Sequence, residues 1–313
     1  MMNPQKAGAA ALVAALLLLA QPTPRASASP QQQGATTRQS SIVFLVSKGD
    51  EQPAQVEPAA VIEGRGVIAE PTEGAAEEGG LSAFLMPYYK PGAKYRLVFG
   101  GAEVGALTIR AATNAECSPN TASADIDSSA VKLGGNVMAL ATDGRQALRA
   151  QSSRRAPTAA ERAAAFGVAK RFLAGRRVSA SERNTKTINL TATDLDGDGR
   201  EELVGSYVVK TGPRVRDTLF LVAAPRGRGY APALTRYARV NAREMMDASQ
   251  IDNIGEGGFG MEIYVEQLDA DGDGVGELFT LSGSFEGTTY RAYRRQRGTW
   301  RAVYENYSYR CAY

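Results

Sequence analysis

Two short acidic segments contain the side chains best suited to chemistry in this chain of 313 residues. Residues 193–203 read TDLDGDGREEL, and residues 268–278 read LDADGDGVGEL. Counted from the first aspartate, both segments have Asp at positions 1, 3 and 5, Gly at position 6 and Glu at position 9. Alternate carboxylates of a tight loop point inward together, and the glycine permits the sharp bend. This spacing predicts a site for a hard divalent cation with six or seven oxygen ligands.

The predicted ligands are the side chains at positions 1, 3, 5 and 9, together with the main-chain carbonyl at position 7. We favour Ca²⁺ over Mg²⁺, because Mg²⁺ prefers a stricter octahedron that keeps several waters. The alternative is that both segments are plain Asp-Gly turns between strands. In full, the predicted ligands are Asp194, Asp196, Asp198, Arg200 and Glu202 in the first loop and Asp269, Asp271, Asp273, Val275 and Glu277 in the second.

The two loops do not fit the EF-hand motif. An EF-hand needs an acid at position 12, where these loops have Gly205 and Thr280. It also needs helices on both sides of the loop. The segments that precede the loops, TINLTAT (187–193) and MEIYVEQ (261–267), instead show the alternation that is typical of strands.

The string DxDGDGxxEL, at 194–203 and again at 269–278, resembles the calcium loops of FG-GAP and VCBS-type repeats. Phe259 and Gly260, shortly before the second loop, match the FG of the family name, although the family usually has Asp at position 9, where this chain has Glu. The resemblance covers about residues 187–310. It implies strand-loop-strand units of exported proteins, in which the three aspartates and the position-9 acid of each loop hold Ca²⁺.

The segments around the loops form a repeat of strand, acidic loop, strand, strand and strand. We therefore predict a mainly β fold with two four-stranded antiparallel meander units, arranged as a β-sandwich or like propeller blades, plus a small N-terminal β domain. One packed α-helix is predicted over 158–174, since Thr158 and Glu161 can form a capping box. The predicted strands are 187–193, 203–210, 218–223 and 230–237 in the first unit and 261–267, 278–285, 288–294 and 299–307 in the second.

The first residues have the layout of a secretory signal peptide. Residues 9–20 are wholly apolar but too short to span a bilayer comfortably, and the small residues at 26–28 offer a cleavage site. An uncleaved membrane anchor is the alternative, and no other segment could cross a membrane. We expect a secreted or periplasmic protein. The predicted organisation is a signal peptide (1–28), a flexible leader (29–40), an N-terminal β domain (41–150), a linker (151–157) and a C-terminal domain (158–313) with the helix and both repeats.

The chain has two cysteines, Cys117 and Cys311. In an exported protein an even pair predicts one disulfide bond, which would tie the end of the chain to its first half. Two free thiols are the alternative.

The chain has no histidine, and this excludes several enzyme classes. Ser-His-Asp and Cys-His hydrolases lack their general base, and HExxH metalloproteases lack their ligands. GEGGFG at 255–260 spells GxGxxG, but a strand pattern follows it where a dinucleotide site needs a helix, so we interpret it as a glycine-rich loop.

The formal net charge of +3 gives no global attraction to nucleic acid. Two arginine-rich stretches, 145–186 and 291–301, are either solvated surfaces or a basic face for an anionic surface polymer. We predict a monomeric, non-enzymatic, calcium-stabilised β module that binds a cell-surface polymer or a protein. The alternative is a secreted polysaccharide hydrolase, or its accessory module, that uses carboxylates such as Glu262, Glu266 and Glu286.

Overall fold

The computed structural model describes residues 40–49, 52–71, 80–115 and 118–309. The signal peptide, residues 29–39 of the leader and both cysteines lie outside these residues, so those predictions stay predictions. Within the described residues, no helix is both long and apolar enough to cross a membrane. The described chain is mainly β, and this confirms the predicted fold class.

The first part of the chain forms a closed six-stranded barrel. The strand order is β1-β7-β4-β5-β6-β2, and β2 pairs back with β1 to close the ring, while β3 pairs with β2 outside it. Closure leaves no unpaired strand edge in the ring. The bounds are β1 Ser41–Ser47, β2 Ala54–Glu63, β3 Val67–Ala69, β4 Lys94–Phe99, β5 Ala102–Ala115, β6 Ser118–Asp127 and β7 Ala139–Thr142, with a short helix α1 at Gly80–Leu85.

The two predicted repeats are two four-stranded antiparallel meanders. The first consists of β8 Thr185–Thr193, β9 Glu202–Gly212, β10 Val215–Arg226 and β11 Gly229–Asn241. The second consists of β12 Glu262–Leu268, β13 Glu277–Gly283, β14 Gly287–Gln296 and β15 Thr299–Tyr309. The segment of chain that connects the two sheets contains three 3₁₀ turns, at Ala242–Glu244, Ala248–Asn253 and Glu256–Gly258. Each acidic segment is thus the loop between the first two strands of its sheet.

The predicted helix is α2, Ala159–Ala174. The Thr158 hydroxyl accepts a hydrogen bond from the Glu161 amide at 3.2 Å, and the Glu161 carboxylate accepts one from the Thr158 amide at 2.7 Å. The capping box therefore satisfies two of the free amides at the start of the helix. The apolar face of α2 covers the outer face of the first sheet, in a cluster that includes Ala165, Val168, Leu173, Leu203, Tyr207, Leu219 and Leu221.

The second sheet is a middle layer that is covered on both faces. All seven residues of β12 are buried, because alternate side chains enter two different cores. One core lies against the first sheet and contains Leu195, Val204, Phe220, Val222, Tyr264, Leu278, Tyr293 and Trp300. The other lies against the outside of the barrel and includes Val43, Leu45, Leu140, Ile263, Val265, Leu281 and Tyr290. The order of layers is therefore barrel, second sheet, first sheet and α2.

A buried ion pair joins the predicted linker to this middle layer. The Arg154 side chain is 2% exposed and Glu266 is 0% exposed, and Arg154 Nη1 donates to Glu266 Oε2 at 2.8 Å. The same nitrogen donates to the main-chain carbonyls of Met138 and Val265 at 2.9 and 2.7 Å. The guanidinium also lies 4.6 Å from the ring centre of Phe99. One side chain thus contacts both the barrel and β12.

We expect Arg154→Met to lower the free energy of unfolding by about 3–5 kcal/mol, because it leaves the Glu266 carboxylate buried without its partner. Urea denaturation measures this loss. The matched control is Arg110→Met, which removes an exposed pair with Asp125 and should lower the free energy of unfolding far less, because solvent screens exposed pairs. Equal losses in the two variants would show that the buried pair contributes no more to the free energy of unfolding than an exposed pair.

Candidate metal site

The two acidic loops each bring carboxylates close enough to hold one cation. In the first loop, oxygens of Asp194, Asp196 and Glu202 lie within 4.8 Å of one another. In the second loop, oxygens of Asp269, Asp271 and Asp273 do the same. The structure therefore shows two acidic groups that could hold a metal ion.

Both loops share four hydrogen bonds from main-chain amides to carboxylates at the same positions, and the second loop has one more, from the Asp273 amide to Asp271 Oδ1 at 3.3 Å. In the first loop the two oxygens of Asp194 accept from the amides of Gly197 and Gly199, at 2.7 and 3.0 Å. In the second, Asp269 accepts from Gly272 and Gly274, at 2.7 and 2.9 Å. The position-1 aspartate thus fixes the bend of each loop. Both glycines of each pair have positive φ, between 74° and 90°, where a side chain would be strained.

The position-5 and position-9 acids also have matching roles. Asp198 Oδ1 accepts from the Arg200 amide and Asp273 Oδ1 from the Val275 amide, both at 2.8 Å. The position-9 glutamates reach back to the amide at position 2. Glu202 accepts from Leu195 at 2.9 Å, and Glu277 accepts from Ala270 at 2.7 Å. The two loops therefore share these four hydrogen bonds, although their sequences differ at positions 2, 7 and 8.

The predicted ligand sets are brought together in part. Asp198 lies on the exposed side of the first loop and is outside its close carboxylate group. Glu277 is outside the close group of the second loop, and its Oε1 accepts from Arg294 instead. The main-chain amides of Arg200 and Val275 face carboxylates, as described above, and the predicted role of their carbonyls stays a prediction.

The two loops contact each other. The Gly276 amide donates to the Leu195 carbonyl at 2.9 Å. Arg149, from the segment that follows the barrel, joins both loops, since its Nη2 donates to the carbonyls of Leu195 and Gly274 at 3.2 and 3.4 Å. Its Nη1 donates to the Asp194 carbonyl. The two candidate sites thus form one continuous cluster at the edge of both sheets.

Two adjacent arginines of β14 each reach one loop. Arg294 Nε lies 2.5 Å from Glu277 Oε1 and 3.2 Å from Asp271 Oδ2, and its Nη2 donates to the Gly66 carbonyl of the barrel at 2.6 Å. Arg295 forms an ion pair with Asp196 of the other loop. Neighbouring side chains of a strand point to opposite faces, so one strand supplies a positive charge to both sites.

Sequence reasoning missed these arginines and Gln267. Gln267 is fully buried, and its Nε2 donates to the Thr193 hydroxyl and the Asp194 carbonyl at 2.9 and 3.2 Å. Its Oε1 has no hydrogen-bond partner among the described residues. The arginine-rich stretch 291–301 was the available signal for Arg294 and Arg295, but it did not show which loop each would reach. Arg149 lies in the other arginine-rich stretch, 145–186, which likewise did not show its partners, and nothing in the sequence pointed to Gln267.

The position-9 glutamates have unusual acidity. Burial raises the pKa of Glu202 to about 7, and the charges of Asp196 and Asp194 add to the effect. The Leu195 amide, which donates to Glu202, acts in the opposite direction. Burial also raises the pKa of Glu277 to about 7, with Asp271 as a further cause, although the Ala270 amide and Arg294 lower it. Without a bound cation, the ionised form of these two glutamates is therefore less favourable than that of an exposed glutamate.

The three carboxylates considered for hydrolysis do not form a pair. Glu266 is held by Arg154 in the core, and Glu286 lies on the bend between β13 and β14. Glu262 lies on the same strand as Glu266, four residues away, which is about 13 Å along a strand.

Comparisons with known proteins identify no relative. No family model, no curated protein and no solved structure matches this chain significantly.

For the metal-free protein we expect the melting temperature to fall as pH rises from about 4.5 to 7. A carboxyl whose pKa is raised in the folded state binds more protons there than in the unfolded chain. The free energy of unfolding therefore falls as pH rises from the unfolded pKa to the folded pKa. Thermal melts in EGTA across this range measure the slope. The double variant Glu202→Gln, Glu277→Gln should flatten it. The exposed pair Glu182→Gln, Glu244→Gln should keep it, and an unchanged slope in the first variant would contradict the assignment.

Proposed function

We propose that this protein is an exported calcium-binding protein in which two structural Ca²⁺ ions stabilise a β module for binding or adhesion. The observation that supports this best is the position-by-position agreement of the two acidic loops in their main-chain hydrogen bonds. The agreement includes the bond between the position-9 glutamate and the position-2 amide, which a plain Asp-Gly turn does not need. The resemblance to FG-GAP and VCBS-type repeats implies Ca²⁺ bound by the acids at these positions.

The donor chemistry favours Ca²⁺ over the softer transition metals. All candidate ligands are oxygens, and the chain has no histidine to contribute nitrogen. Four carboxylates per loop also exceed the positive charge that the neighbouring arginines supply. Among the described residues, three arginines, Arg149, Arg294 and Arg295, form ion pairs with four of the eight predicted ligand acids, namely Asp194, Asp196, Asp271 and Glu277. Two divalent cations would compensate much of the remaining charge.

A structural role fits the place of the loops in the fold. The strand after each loop enters the core between the sheets, with Val204 of β9 and Leu278 of β13. The loops also contact each other, and the second loop lies against the turn at Gly66. Extracellular calcium modules bind with Kd values of about 0.1–1 mM. At about 1 mM free Ca²⁺ and a Kd of about 0.1 mM, each site would stabilise the fold by roughly 1.4 kcal/mol. This is a useful share of a typical unfolding free energy of about 5–15 kcal/mol.

The partner that we propose is a cell-surface polymer or a protein, met outside the cytoplasm. Four aromatic residues of the second sheet, Tyr290, Tyr293, Trp300 and Tyr304, are buried and therefore belong to the cores. Tyr307 and Tyr309 are 49% and 65% exposed at the end of β15. These two remain available for contact with a partner.

We expect millimolar Ca²⁺ to raise the melting temperature of the protein above its value in EGTA, and Mg²⁺ at the same concentration to have much less effect. The double variant Asp196→Ala, Asp271→Ala should lose most of the calcium effect, because each loop loses a carboxylate of its close group.

The matched control is Asp125→Ala, Asp127→Ala, which removes two exposed aspartates from β6 of the barrel. It should keep the full calcium effect. Identical melts with and without Ca²⁺ in the wild type would refute the proposal, and so would an equal calcium effect in both double variants.

A further inference from the structure

A groove of about 560 Å³ lies between the two sheets, away from the acidic loops. Its walls come from β10 and β11 on one side, from the ends of β12 and β13 and from β14 on the other, and from Arg176 after α2. Its volume falls in the range of small-molecule binding sites. No residue of either acidic loop is among those that line it.

The charge of the groove is positive. Three arginines line it, Arg176, Arg236 and Arg291, against one carboxylate, Glu262. Arg291 is held in place by Glu305 at 2.7 Å and by the Ser282 hydroxyl at 3.2 Å. Arg176 and Arg236 are less restrained, and their guanidinium groups supply the positive charge that could bind a ligand.

Arg176 is positioned by aromatic rings rather than by an acid. Its guanidinium lies 4.0 Å from the ring centre of Phe172 and 5.0 Å from that of Tyr237. It forms no ion pair within the described part of the chain. Stacking uses the face of a guanidinium and leaves its in-plane N–H groups, which suit the oxygens of a carboxylate or phosphate.

Glu262 adds a hydrogen-bond acceptor to the same groove. Its Oε1 accepts from the hydroxyls of Thr280 and Tyr293, at 2.6 and 2.7 Å, so the carboxylate is fixed in orientation. Its Oε2 lies 3.6 Å from Arg236 Nε and 3.8 Å from Arg291 Nη1, which are ion-pair distances beyond the hydrogen-bond range. This oxygen can accept a hydrogen bond from a ligand hydroxyl.

We propose that the groove binds a hydroxylated anion, namely a sugar acid or a sugar phosphate. Arg176 and Arg236 meet its carboxylate or phosphate group, and Glu262 Oε2 accepts from one of its hydroxyls. The hydroxyl groups of Thr218, Thr235 and Ser282 give the lining further polar contacts. This site is separate from the calcium proposal and does not depend on it.

Isothermal titration calorimetry of the full chain with glucuronate and with glucose 6-phosphate tests the proposal, with glucose as the neutral probe. We expect saturable binding of at least one anion and none of glucose. The double variant Arg176→Gln, Arg236→Gln should weaken that binding by at least about tenfold. Both residues are exposed, so the fold should tolerate the change. Binding of glucuronate alone would assign a carboxylate ligand, and binding of glucose 6-phosphate alone a phosphate ligand.

The matched control is Arg226→Gln, Arg228→Gln, which removes two exposed arginines near the β10–β11 turn. It should bind as the wild type does. The proposal is overturned if neither anion saturates below about 10 mM, which corresponds to weak affinity. It is also overturned if glucose binds as well as the anions, or if the two double variants bind equally well. Titrations in EGTA and in Ca²⁺ should agree, so a failure of the calcium sites leaves this test unaffected. A strict calcium requirement would overturn the separation of the two sites.

Discussion

The position of one buried guanidinium sets the arrangement of the layers. Arg154 donates to a carbonyl of the barrel, to a carbonyl of β12 and to the carboxylate of Glu266. An unpaired charge at this depth would be costly, so the barrel and the second sheet must stay in register around it. The neighbouring Ser153 hydroxyl and Gln267 amide hydrogen-bond each other at 3.0 Å, and both contact the Asp194 carbonyl at the start of the first loop. These hydrogen bonds connect the linker residues to the start of the first acidic loop, so the position of that loop depends on the packing of the linker.

The acidic loops belong to one cluster rather than to two separate sites. Strand β14 supplies Arg294 to one loop and Arg295 to the other, and Arg149 contacts the main chain of both. A cation bound in one loop would therefore change the electrostatic balance of the other, because solvent screens charges little over a short distance. The proposed calcium sites should be considered as a coupled pair, held by the same arginines.

Local patterns in the sequence predicted the local structure well. Alternation located the strands of both meanders, and the Thr158–Glu161 pair located the start of the helix. Closure of the barrel could not be predicted, because it depends on β1 pairing with the short strand β7, which lies about a hundred residues further along the chain. The loop residues were evident from their spacing. Their arginine partners were not, since the face of a strand that meets a given loop is decided by packing between distant layers.

The double coverage of the second sheet has a consequence for the order in which the molecule can assemble. This sheet is formed by residues 262–309, the last described segment of the chain, and yet it lies between the barrel and the first sheet. The apolar outer wall of the barrel and the inner face of the first sheet both precede it during synthesis. Neither surface can be covered until the middle layer exists. Final packing thus depends on contacts of long sequence separation, which form slowly and leave apolar surface exposed in the meantime. A chain that crosses a membrane unfolded could complete this packing only after its C-terminal part had also crossed.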